Sequence, residues 1–307
     1  MCCHCQRSLE FNNASSIDHK TLAESKSGIG GFKITQVMSK FNIGKFLVLV
    51  VLLTLTEILD QVLVGGALNL ISCTVRLATG ILLSLFFTWL VGKMMLQKLH
   101  VFALIWLNLF VIRFLSNYIE AYFFTSIFTS FTDFIIRMSI ALGISLIEGV
   151  FIAFLITIEA EESLSVSLKE YLSSRSYGSW IMRIVAGSVV YFPIYFFFGM
   201  LIYPFVAVYY SDPSLGLKVP GFEVIIPLEF FRGFLYVIVL LPIMVSLKDN
   251  GKTRLIALSL MLFIPGAFIP LIQQSSLPPE IVPFHLLEIL ADSLVYGFAL
   301  SRILSKP

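Results

Sequence analysis

Seven ionisable residues set inside apolar stretches carry the chemistry open to this chain: Glu57, Asp60, Glu229, Arg232, His285, Glu288 and Asp292. Glu229 and Arg232 lie within Phe222 to Leu247, a stretch long and apolar enough to cross a bilayer. Three residues apart, they share one face of a helix. At about 1.5 Å rise per residue, Arg232 is roughly 15 Å from the outer end of the stretch, near the midplane of a hydrocarbon layer about 30 Å thick. A charge at that depth costs about 2.5 to 3.5 kcal/mol on insertion scales, so it must face the bundle interior and meet an acid. His285, Glu288 and Asp292 stand at relative positions 0, 3 and 7 of the last apolar stretch, one helical stripe, with Asp292 level with Arg232. Asp292 or Glu288 is therefore the expected partner of Arg232, with His285 and Glu229 completing a network toward the outer face. Glu57 and Asp60, again three apart, add to this cluster from the first stretch. Arg113 and Glu148 fall half-way along adjacent antiparallel stretches and are expected to form a midplane ion pair.

Charges gathered between midplane and outer surface suit a water-accessible vestibule that opens outward and guides a small solute or ion. A metal hydrolase needs about three protein ligands and a base around an activated water. One histidine with scattered acids is a thin set, so no metal site and no cofactor are expected. Each buried pair also has a bland role, fixing helix register without turnover. Asp133 with Arg137, four apart, can reach the outer headgroups, and Arg76 and Arg183 can snorkel from the ends of their helices.

These residues need helices to hold them in a bilayer. Hydrophobic residues make up 58% of the chain and charged residues 13%, with a mean hydropathy of +0.92, where soluble domains carry about 25% charged residues. The expected fold is all-α, a polytopic transmembrane helical bundle of about eight spans, at about 46–64, 71–92, 101–122, 135–157, 180–203, 222–247, 255–274 and 281–302. They form a single transmembrane domain, 46–304. Ahead of it, 1–45 reads as a cytoplasmic tail with a basic interfacial segment from Gly30 to Lys45. The tail has no apolar core of the length a secretory signal needs, so the first span is expected to act as the targeting signal. Its Cys2, Cys3, His4 and Cys5 could ligate a soft metal or be acylated, but the adjacent cysteines have no second pair downstream. Fifteen of the 21 basic residues fall on the side of the N-terminus and only Lys218 on the other, while Arg76, Arg113, Arg137, Arg183 and Arg232 lie within spans. By the positive-inside rule both termini are cytoplasmic, and the plasma membrane is the expected location. The inner connection 159–179 reads as a solvated linker, of which Ser165 to Leu172 could form a short surface helix. Pro227, Pro242 and Pro265 with Gly266 are expected to kink the sixth and seventh spans beside the charges.

The run Glu229-Phe230-Phe231-Arg232-Gly233-Phe234-Leu235 resembles the first motif of the CPBP (CAAX-processing and bacteriocin-processing) intramembrane proteases, where paired glutamates precede a Phe-Arg-Gly. The resemblance covers under a tenth of the chain and implies an intramembrane metal-dependent hydrolase, with Glu229, His285 and Glu288 as candidate catalytic groups and Asp292 able to join them. Pro227-Leu228 stand where the glutamate pair belongs, and the following span lacks the histidine of the second motif, leaving His285 for the last. More broadly, Arg232 to Leu304 is similar to uncharacterised prokaryotic polytopic membrane proteins, with Arg232-Gly233, Pro265 and a His285-to-Glu288 pair on successive helices. That likeness implies fold and membrane location and no activity.

The chain has no HExxH, no phosphate-binding glycine loop, no GxSxG elbow and no pair of CxxC motifs, which argues against nucleotide-driven pumping within it. A net charge of +2 gives no footprint for nucleic acid. Three functions stay open: a permease for a small solute or ion, a CPBP-like hydrolase, and a non-catalytic membrane component that binds a partner. The one partner common to all three is the lipid bilayer.

Overall fold

A computed structural model describes residues 42–94, 96–156, 162–247, 251–273 and 278–306. The cysteine-bearing tail, 1–41, lies outside the described residues. The chain is all-helical, with no strand beyond isolated two-residue bridges among the described residues. Nine helices of ten residues or more follow one another among them. They are α1 (Ile43–Leu63), α2 (Leu70–Val91), α3 (Lys98–Phe124), α4 (Phe131–Ile156) and α5 (Leu164–Ser173), then α6 (Tyr177–Tyr210), α7 (Phe222–Ser246), α8 (Gly251–Gln273) and α9 (Val282–Ile303).

Seven of these, α1 to α4 and α6 to α8, are long and apolar enough to cross a membrane. The chain is a multi-pass integral membrane protein. The eighth expected span, α9, has 22 residues but is not among the seven; it carries His285, Glu288, Asp292 and Arg302. It nevertheless runs antiparallel to α6 along its length. Near the start of α6, Arg183 donates to the carbonyl of Ile303. Near the other end, Phe205 stacks on Phe284 with ring centroids 5.0 Å apart.

Two corrections concern elements. The 159–179 connection is not simply a solvated linker, because α5 forms within it and docks. Tyr171 is buried and donates to the carbonyl of Leu304 at 2.8 Å, and Trp180 Nε1 donates to Leu172 O at 2.7 Å. Burial raises the pKa of the Tyr171 hydroxyl above its ordinary value, which keeps it a donor. Secondly, α7 runs unbroken through Pro227 and Pro242. The irregular turns are in α8, where a π-helical turn spans Ile264–Phe268 around Pro265, and in α3, where one spans Leu109–Leu115.

Helices in a bilayer associate by close packing, which favours small residues at crossings. A Cβ on Gly233 of α7 would run into the Ser188 carbonyl oxygen of α6, and one on Gly297 of α9 into Ser259 of α8. Tyr296 pins this junction, its hydroxyl lying 3.1 Å from Gly187 O and 3.2 Å from Gly233 O. The apolar core runs through all of these helices and includes Leu49, Phe87, Ile105, Ile152, Tyr191, Leu240 and Leu258.

The connections sort onto two faces. On one, Met94 bridges to Leu247, Leu96 bridges to Glu162, and Lys306 lies 3.5 Å from Glu170. On the other, Thr125 bridges to Leu217, and Lys218 donates its amide to Phe124 O at 2.8 Å. Lys93, Lys98, Lys169, Arg175, Arg254 and Lys306 mark the first face, and Lys218 belongs to the second.

Candidate functional site

The midplane pair expected from sequence forms. Arg113 Nη1 lies 3.1 and 3.2 Å from the two oxygens of Glu148. It does not stand alone, because Arg113 Nη2 is 2.6 Å from Glu57 Oε1. Glu57 in turn accepts from Arg76 Nη1 at 3.2 Å and from Gln273 Nε2 at 2.9 Å, and the same Gln273 amide reaches Thr79 at 3.0 Å. One knot of two guanidiniums and two carboxylates thus ties α1, α2, α3, α4 and α8 together. Glu57 and Glu148 are both 0% exposed and Arg113 is 2% exposed. Arg76 does not snorkel outward; it turns inward to Glu57 and also donates to Gln61 at 3.1 Å.

The π-helical turn in α3 carries Arg113 and frees backbone acceptors. The Asn117 amide takes them, lying 3.2 Å from Ile112 O and 2.8 Å from Arg113 O, and reaches across to Gly266 O of the α8 π-turn at 2.7 Å. Wide turns of this kind are frequent at functional sites. Here two of them face each other beside the knot.

The second knot departs from expectation in its partners. Arg232 is held by Glu229 at 2.8 Å and by Glu120 of α3 at 2.7 Å, with the Tyr236 hydroxyl 3.3 Å away. Among the described residues neither Asp292 nor Glu288 makes an ion pair with it. Tyr191, Tyr195 and Tyr236 surround the guanidinium at 5.6, 5.8 and 6.0 Å from their ring centroids, a cation–π arrangement that offsets part of its desolvation. On α9, His285 Nδ1 and Glu288 Oε2 pair at 2.9 Å. Among the described residues Asp292 has only the neighbouring Ser293 hydroxyl as a side-chain hydrogen-bond partner, at 3.3 Å. Asp133 and Arg137 pair at 3.0 Å at the start of α4, as their spacing requires.

Both knots face one cavity of about 950 Å³. Its walls include Asp60, Arg76, Arg113, Glu120, Arg232, His285, Glu288 and Asp292, and its lining also takes in Gly65, Thr125 and Val219, from the connections on the lysine-poor face. Glu57, Glu148 and Glu229 are not in the wall; they sit behind the arginines they neutralise. The sequence cluster therefore divides in two. Glu57 goes with Arg113, Glu229 stays with Arg232, and His285, Glu288 and Asp292 line the opposite wall on α9, with Asp60 on α1.

Of the candidate catalytic groups, His285 and Glu288 meet, while Glu229 is 0% exposed and both its oxygens are held by Arg232. Among the described residues no three His, Cys, Asp or Glu side chains converge to share a metal ion. Sequence reasoning left Glu120, Gln273 and the tyrosine cage out of the site. Glu120 had a signal, since it lies two turns beyond Arg113 in the same span; the tyrosines, scattered among many aromatics, had none.

Compared with known protein families, characterised proteins and solved structures, the chain finds no match.

Proposed function

We propose that this membrane protein is a carrier or permease that admits a small solute through the mouth on its lysine-poor face to the level of Arg113 and Arg232. The observation that carries it is the cavity: about 950 Å³, lined by nine acidic, basic or imidazole side chains, most of them at depths where a charge is costly to keep. Register-fixing ion pairs explain Glu57, Glu148 and Glu229, which are hidden. They do not explain Asp60 and Asp292, which face open space without a cationic partner among the described residues. Glu229, locked against Arg232, lacks the freedom of a general base, so the hydrolase is the weaker account.

Eight crossings, α9 included, return the chain to the face where α1 began. The lysine-rich face is cytoplasmic by the positive-inside rule, the mouth is external, and the plasma membrane is the location. Single cysteines test this in a background from which the chain's four cysteines are removed. An impermeant maleimide added to intact cells should label Ile289→Cys in the cavity wall, and should label Ser173→Cys only after permeabilisation. An unreactive Ile289→Cys removes the open cavity and the carrier with it. Labelling of Ser173→Cys in intact cells reverses the orientation.

A further inference from the structure

The two knots and the cavity wall between them hold seven carboxyl groups against three guanidiniums and one imidazole, His285. Arg137 at the mouth adds nothing to the balance, because Asp133 matches it at 3.0 Å. Such an excess in a low-dielectric interior must be offset by protons on the acids or by a cation that enters. Two acids are placed to meet one. Asp60 is 7% exposed and its Oδ1 has no hydrogen-bond partner among the described residues. Arg76 and Arg113, however, line the cavity on that same side, and they repel an incoming cation.

Asp292 is the better anchor: near Asp60 two guanidiniums share two glutamates, whereas the guanidinium near Asp292, Arg232, is itself held by two, Glu120 and Glu229. It is 8% exposed, lines the cavity and, among the described residues, takes a side-chain hydrogen bond only from the Ser293 hydroxyl. Glu288, one turn away on the same face, adds negative potential. Tyr296 stands four residues on, also on that face, with the Tyr191 ring against it at 4.9 Å between centroids. A carboxylate beside a tyrosine ring is an environment that binds an alkylammonium, through charge and through the ring face. A bare divalent ion fits poorly, since no three acidic or imidazole ligands converge among the described residues.

We infer that the cavity recognises an organic cation, an amine with an apolar body, whose ammonium group seats on Asp292 beside Tyr296. This rests on the carrier assignment and specifies its substrate class.

Three probes with one body separate the charge states: 4-phenylbutylammonium, 4-phenylbutanol and 4-phenylbutyrate, titrated calorimetrically into the full-length chain in detergent. The ammonium should bind tightest, and Asp292→Asn should weaken it by at least about tenfold, the loss of one charge-assisted hydrogen bond. Should that variant not fold, the wild type still decides: phenylbutylammonium should protect Asp292 from a hydrophobic carbodiimide, read by mass spectrometry of its peptide, and phenylbutyrate should not. Binding of phenylbutyrate as tight as the ammonium overturns the inference and leaves the carrier standing. Unchanged affinity in Asp292→Asn, or carbodiimide labelling indifferent to the ammonium, overturns Asp292 as the anchor. If no probe binds and Ile289→Cys is unreactive, carrier and inference fall together.

Discussion

Arg232 shows what depth in a membrane can and cannot say about a side chain. Its level was readable from the sequence, and so was the need for an acid at that level. Its direction around the helix axis was not, because α3, α6 and α9 all offer acids or aromatics near the same depth. It meets Glu120 and Glu229, not Asp292. Removing one member of a buried pair strands a charge and costs about 3 to 5 kcal/mol, while removing both costs less. Arg232→Met should therefore lose that order of stability in detergent unfolding, and Arg232→Met with Glu229→Leu should recover part of it. Arg232→Met with Asp292→Leu should show no such coupling. Recovery with Asp292 and strict additivity with Glu229 would reverse the pairing described above. Arg113 does meet Glu148, but level alone named only part of its surroundings, because Glu57 of α1 stands at the same depth and lies against its other nitrogen.

The helices themselves followed closely from runs of apolar residues: α7 begins at Phe222 and α9 at Val282, within a residue of expectation. What the runs concealed was irregularity. The α3 π-turn, Leu109–Leu115, contains neither proline nor glycine, so nothing in its composition marks it. Its support is the Asn117 amide, shared among three carbonyls on two helices. Asn117→Ala leaves those acceptors without a donor, and a buried unsatisfied group costs about 1 to 3 kcal/mol. A loss of that size in unfolding free energy is the expected result. A variant as stable as the parent would mean that the paired π-turns of α3 and α8 hold themselves. The docking of α5 was likewise hidden, since Tyr171 acquires its buried site from residues more than a hundred positions away.

For the molecule as a whole, the distribution of lysine and arginine anticipated which connections share a face, and the bridges at Met94–Leu247 and Thr125–Leu217 agree with it. The function of the bundle was less accessible, because a cavity is a property of how helices diverge and no local pattern encodes divergence. One consequence follows from α6. Its 34 residues make a rod of about 51 Å at 1.5 Å per residue, set against a hydrocarbon layer of about 30 Å. Phe197, Leu201, Phe205 and Val208 remain exposed toward its far end, so the surplus is greasy and cannot simply stand in water. Tilt absorbs some of it and a locally swollen bilayer the remainder. The protein is in this respect a gauge of membrane thickness. Its unfolding midpoint in vesicles should rise as acyl chains lengthen from 14 to 20 carbons, with α6 as the sensor, and a midpoint independent of chain length would mean that tilt alone accommodates the excess.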